Sequence, residues 1–132
     1  MIKQDYLLRM IQEIIALLVQ ALISKRKIAE NDWAQYDNLS TQLLGATTAD
    51  LSRMDADAII ARYQDNPDKW ELCELAATLL LKLSDEADDA QVVTKARLRQ
   101  NGTSLLEYVQ ANGPNFSLQR SQLLQLLKSG QQ

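Results

Sequence analysis

Histidine is absent from the 132 residues. Its unperturbed pKa lies near neutrality, which makes it the commonest general base and a leading metal ligand. Ser-His-Asp and Cys-His arrangements are therefore excluded, as are the usual zinc sites. Cysteine is nearly as scarce. Cys73 stands alone, so no intramolecular disulfide can form, and this fits a reducing cytoplasm. It lies among Leu72, Leu75 and Ala76, where a small core residue is expected rather than an activated thiol. Two prolines and four glycines are too few for a many-turned β fold and favour long helices. Aromatics make up only 5%, and no three glycines cluster into a phosphate-binding loop.

Among the residues present, hydrophobic ones account for 46%, which is globular rather than disordered. The length suits one domain over residues 1–132, able to bury a core without metal or disulfide. The opening Met-Ile-Lys-Gln-Asp-Tyr is unlike a signal peptide, because Asp5, Arg9 and Glu13 interrupt the apolar region. The uninterrupted apolar run Ile14–Val19 is short for a bilayer span. A cytoplasmic protein with no membrane association and no cofactor is expected.

Charge is unevenly placed. Residues 1–50 carry five basic and six acidic groups, residues 51–90 four and ten, and residues 91–132 five and one. An acidic middle before a basic end predicts helices that attract one another within the fold. The alternative is an anion- or partner-binding surface on the C-terminal third, with Lys95, Arg99 and Arg120 as its candidate residues and Arg97 and Lys128 beside them. Nucleic acid is the less favoured ligand, since the whole chain carries a net charge of −3.

Periodicity predicts helices throughout. The first spans Ile2–Ser24, and its apolar residues from Leu7 to Leu22 cover an arc far wider than the roughly 100° of a helix packed on one side. It therefore lies centrally among neighbours or offers a face to another chain. Lys25-Arg26-Lys27 then offset the negative end of its dipole. A second helix, Asp32–Leu44, stops at Gly45. Thr47 and Asp50 form a capping box for a short turn through Leu51, and Asp55 caps Ala56–Tyr63. Asn66-Pro67 predicts the start of a long helix reaching Glu86, the most buried of all, with a narrow polar strip at Glu71, Glu74, Thr78 and Lys82. The acidic connector 84–89 lacks the glycine and final glutamate of a calcium loop, so its carboxylates are expected to cap the next helix. That helix, Asp89–Gln110, is read as continuous through Gly102. It carries two stripes, Leu98/Gly102/Leu105/Val109 and Val92/Val93/Ala96, which predict two neighbours. Asn112-Gly113-Pro114 ends it. A last helix starts near Ser117 and closes at Ser129-Gly130, leaving two frayed glutamines, and Tyr108, Phe116 and Arg120 should pack the intervening loop.

The architecture expected is all-α. It has five main helices and one short one, packed as an antiparallel helical bundle or as a short tetratricopeptide-like stack of helical hairpins. Glu71 and Glu74 share a helix face, a spacing used in carboxylate metal sites, but such sites also draw on histidine. No metal and no catalytic constellation are expected. The leading expectation is a non-enzymatic interaction or scaffold protein with a protein partner, or one that self-associates through its first helix.

Several segments resemble a family of small, uncharacterised bacterial helical proteins: Met1 to Ile14, Leu43-Leu44-Gly45, Leu105-Leu106-Glu107-Tyr108-Val109 and Phe116-Ser117-Leu118-Gln119-Arg120. The resemblance implies a helical fold and assigns no activity or site residues. The two long helices flanking the acidic connector also resemble tetratricopeptide hairpins, although Trp70 is followed by Cys73 and Glu74 where that pattern has Leu-Gly.

Overall fold

Local capping chemistry sets several of the helix ends in the computed structural model, which describes residues 2–129, with side chains from Tyr6 onward. Among the described residues there are seven helices and no strand: α1 (Ile2–Ser24), α2 (Glu30–Leu44), α3 (Thr48–Ser52), α4 (Ala56–Tyr63), α5 (Lys69–Glu86), α6 (Val92–Asn112) and α7 (Leu118–Ser129). The expected five or six become seven because the Thr47/Asp50 capping box is fully formed and drives a complete turn as α3. Gly130 and the terminal glutamines lie outside the described residues.

α1 ends in a Schellman motif. Arg26 N–H donates to Ala21 O and Lys25 N–H to Leu22 O, and Lys25 takes a left-handed φ of 56° at the position glycine usually fills. Gly45 closes α2 with φ 71°. Asp55 Oδ1 accepts from Ala58 N–H to open α4, and Ser117 Oγ accepts from Arg120 N–H to open α7.

Three expected starts are corrected. α2 begins at Glu30, two residues before Asp32. α5 begins at Lys69, because Asn66 Oδ1 accepts from Asp68 N–H in a local turn and the first bond of α-helical span is Leu72 N–H to Asp68 O. α6 begins at Val92. Asp88 Oδ1 turns back onto Ala90 N–H and Asp89 pairs with Lys95, so neither carboxylate caps the helix. α6 also runs two residues further than expected, to Asn112.

α5 is the axis of the molecule and touches α1, α2, α3, α4 and α6. Its apolar residues are buried nearly all round, and so are Thr78 and Lys82. Two of the four residues of the expected polar strip are therefore turned inward, while Glu71 and Glu74 are half-buried. Thr78 Oγ1 donates to the backbone oxygens of Glu74 and Leu75. Ser84 Oγ reaches Lys95 O on α6.

Helix directions follow from shared surroundings. Gln12 and Ile15 of α1, Trp70 and Glu74 of α5, and Gln119 and Arg120 of α7 line one cleft. Leu22, Asp85 and Leu127 line another. α1, α5 and α7 thus run in the same direction, and α6, with Val109 at the first cleft and Lys95 at the second, runs against them. Helices joined by short connections were expected to be antiparallel, as α5 with α6 and α6 with α7 are. The parallel ones arise because α2–α4 carry the chain back to the starting end before α5 begins.

α6 is unbroken at Asn101-Gly102. Asn101 Oδ1 accepts from Ala56 N–H at the start of α4, and Gly102 lets α6 approach α5 closely. A Cβ at Gly102 would stand 2.8 Å from Leu81 Cγ and 3.1 Å from Ala77 O. Alanine's helix propensity favours Gly102→Ala by about 1 kcal/mol, while overpacking costs roughly 1–3 kcal/mol. Leu81 is buried and the second neighbour is backbone, so the clash wins. Gly102→Ala is expected to lose about 1 kcal/mol of stability in urea unfolding.

The wide apolar arc of α1 is used within the chain: Ile11, Ile14, Ile15, Leu18, Val19, Ala21 and Leu22 are buried, with α5 and α7 as its main neighbours. Its Tyr6–Ser24 stretch, of mean hydropathy 1.7, is long and apolar enough to cross a membrane by length and composition. Tyr6, Leu7, Leu17 and Ile23 remain exposed on it.

Candidate interaction surface

Three parallel helices that end together bring three negative dipole ends to one place. The structure meets this with three cations, each donating to a carbonyl oxygen at or just beyond a helix end. Lys82 Nζ lies 2.7 Å from Arg26 O after α1, Lys95 Nζ 3.2 Å from Ala87 O after α5, and Arg99 Nη2 2.8 Å from Leu127 O in the last turn of α7. Lys95 and Arg99 reach these ends because α6 runs in reverse, so its first half lies at this end.

Lys95 and Arg99 are thus brought together beside one cleft, and Arg120 is not. Arg120 lies at the opposite end of α7, about 10 Å from Leu127 along the helix. It is 4% exposed. Its guanidinium donates to Gln110 Oε1 (2.6 Å), Glu74 Oε1 (3.1 Å) and Asn115 O (2.6 Å), locking the loop between α6 and α7 onto α5. Burial pushes the Glu74 carboxyl above the usual range, and the Arg120 charge pulls it partly back. Tyr108 stacks on Trp70 with ring centroids 5.3 Å apart, whereas Phe116, expected to pack this loop, is 76% exposed.

The cleft at Arg120 holds about 190 Å³, less than the roughly 300 Å³ at which small-molecule sites begin. Burial raises the Cys73 thiol to about 11 despite the nearby Lys69 ammonium, so it is an inert core group. Among the described residues no three Cys, Asp or Glu side chains are placed to hold a metal ion. Glu74 is instead engaged by Arg120.

The cleft at Lys95 and Arg99 is different in kind. It has a volume of about 400 Å³ and an apolar floor of Leu22, Leu81, Leu123 and Leu127. Val92, Ala96 and Leu126 form its apolar rim. The second stripe of α6 stands along it. Val92 is 69% and Val93 82% exposed, and Ala96 is exposed too. Two stripes predicted two neighbours, but none of the described helices covers the second. The first stripe is buried as expected.

Lys82 was missed as a key residue because a lysine among glutamates on a helix reads as solvated surface. Its signal was present in the spacing: Asp85 and Glu86 follow at three and four residues, where side chains meet on a helix. No protein-family model matches the chain, and no curated protein or solved structure matches it.

Proposed function

We propose that this chain is a non-enzymatic helical interaction module, a helical bundle whose docking face is the outward stripe of α6 and the adjoining cleft. One observation carries this reading: Val92, on the rim of an apolar cleft, and Val93 next to it in the helix both stand largely in solvent. Isolated exposed apolar residues are ordinary, but a contiguous set rimmed by charges is the mark of an interaction site. Much of the apolar arc of α1 is buried inside the chain, with Tyr6, Leu7, Leu17 and Ile23 of it exposed, so the buried face of α1 is not offered to another chain. Lys95 and Arg99 contribute the charged rim while they hold helix ends.

Capture from native lysate at low salt, comparing the wild type with Val93→Asp and with a nuclease-treated control, tests the reading. The expected result is a stoichiometric protein, another molecule of the chain included, that survives nuclease and is lost with Val93→Asp. Equal recovery by both baits, or recovery that nuclease removes, overturns it.

A further inference from the structure

We propose that the α6 face receives an acidic amphipathic helix of a partner protein, its aliphatic side chains entering the leucine-floored cleft and its flanking carboxylates meeting Lys25, Arg97 and Arg99. This rests on the interaction-module reading and specifies the chemistry of its partner. Successive helical residues turn by about 100°, so Val92, Ala96 and Val93 follow one another around one side of α6. Arg99 falls just beyond the Val92 edge of this stripe and Arg97 just beyond its Val93 edge. Two guanidinium groups thus bracket the apolar surface. The cleft beside it runs between α6 and α7, with Val92 and Ala96 on one wall and Leu123 and Leu127 on the other. Both pairs are spaced by one helical turn, which suits a helix laid along the groove.

The charges around the groove divide into those the fold uses and those it leaves. Both carboxylates lining the cleft are paired: Asp85 with Lys82 at 2.8 Å and Asp89 with Lys95 at 3.1 Å. The helix ends gathered here are met by Lys82, Lys95 and Arg99. Arg97 is exposed and has no ion pair among the described residues, and the Lys25 ammonium at the cleft has none either. Arg99 donates from Nη2 to Leu127 O, and a guanidinium has further N–H groups to offer. Glu107, the only acidic residue of positions 91–132, lies about 15 Å along α6 from Arg97. Three cations without a carboxylate of their own therefore surround an apolar groove, and their complement is both anionic and aliphatic. Nucleic acid would meet the cations and leave the leucine floor unfilled. Lys25 adds an argument of another kind. Its φ of 56° is one that glycine adopts without a Cβ clash, yet a long cation stands there and lines the cleft. Local strain accepted for a placed side chain is a feature of binding sites.

Fluorescence anisotropy with labelled synthetic peptides of about 15 residues, long enough to form a helix on the groove, tests the inference. The first peptide carries leucines at helical spacing flanked by glutamates. The second has lysine in place of glutamate, and the third serine in place of leucine. A single-stranded oligonucleotide with the net charge of the first stands in for phosphate ligands. The first peptide should bind with Kd below about 1 mM at low salt and more weakly as salt is raised. The other three probes should bind at least roughly tenfold more weakly. Arg97→Glu should weaken the first peptide roughly tenfold and Lys25→Gly roughly threefold. Lys25→Gly should at the same time unfold in urea at no lower concentration than the wild type, which separates lost binding from lost stability. Val93→Asp should abolish binding, with circular dichroism checking that it stays helical. Failure of the first peptide to bind, equal binding of the acidic and basic peptides, an oligonucleotide that binds as tightly, or affinity unchanged by Arg97→Glu and Lys25→Gly overturns the acidic partner. If Val93→Asp still abolishes capture of a protein from lysate in that case, the interaction-module reading stands and only the chemistry of its partner is wrong.

Discussion

Lys82→Ala should destabilise the fold by about 3 kcal/mol, at the lower end of what breaking a buried ion pair costs. Lys82 is fully buried, and its ammonium has three oxygen neighbours: Arg26 O at 2.7 Å, Asp85 Oδ2 at 2.8 Å and Glu86 Oε2 at 3.3 Å. Removing it orphans a carbonyl at the end of α1 and leaves Glu86 short of a cation. Two features limit the damage. Asp85 is 37% exposed, so water screens it. Glu86 keeps two donors, Ile28 N–H and Trp33 Nε1–H, each at 2.7 Å. Those donors show why the position matters: Glu86 fixes the α1–α2 connection and the start of α2, and Lys82 neutralises the carboxylate that does so. Lys82→Met restores most of the volume without the charge, so it should lose about 1 kcal/mol less than Lys82→Ala. Urea unfolding of both variants checks this. Losses below about 0.5 kcal/mol for Lys82→Ala, the range of ordinary surface changes, would show that the pair contributes nothing.

The difference between what the sequence disclosed and what it hid is physical. Thr47 with Asp50, Asp55 and Gly45 act through bonds within a few residues, so their roles could be read directly. Continuity through Gly102 was legible because the stripe of Leu98, Leu105 and Val109 runs across it. Asn66 and Asp88 misled because a side chain of this kind bonds equally well to a backbone N–H two residues on, forming a turn that delays the helix. Helix direction was hidden because periodicity is the same for parallel and antiparallel neighbours. From direction follows the role of the basic residues. Once α1, α5 and α7 end together, Lys82, Lys95 and Arg99 become helix-end donors, which gives two of the basic residues of the C-terminal third a role inside the fold. The stripe of Val92 and Val93 predicted a neighbour that none of the described helices supplies.

The Arg120 network should show its worth through pH. Arg120→Ala removes the cation beside Glu74 and leaves Gln110 and Asn115 O without their donor. Near pH 7 the expected loss is about 4 kcal/mol, within the range for an uncompensated buried charge. Glu74 sits above its ordinary value in the wild type, chiefly through desolvation, and Arg120 is what restrains the rise. A carboxyl whose folded pKa exceeds its unfolded one favours folding below the unfolded value and loses that contribution as pH climbs through the folded one. Without Arg120 the folded value climbs further. The deficit of the variant must therefore shrink on acidification, from above the folded value of Glu74 down to the ordinary glutamate range. Near pH 4 the neutral carboxyl needs no cation, and the remaining loss, about 2 kcal/mol, comes from the unpaired polar groups and lost packing. Adding Glu74→Gln to Arg120→Ala should recover part of the neutral-pH loss and make the deficit nearly independent of pH between those limits. Denaturant unfolding of wild type, single and double variants across that range decides it. A deficit of Arg120→Ala that stays constant with pH would mean that Arg120 acts by tying down Asn115 and Gln110 alone, with its charge irrelevant to Glu74.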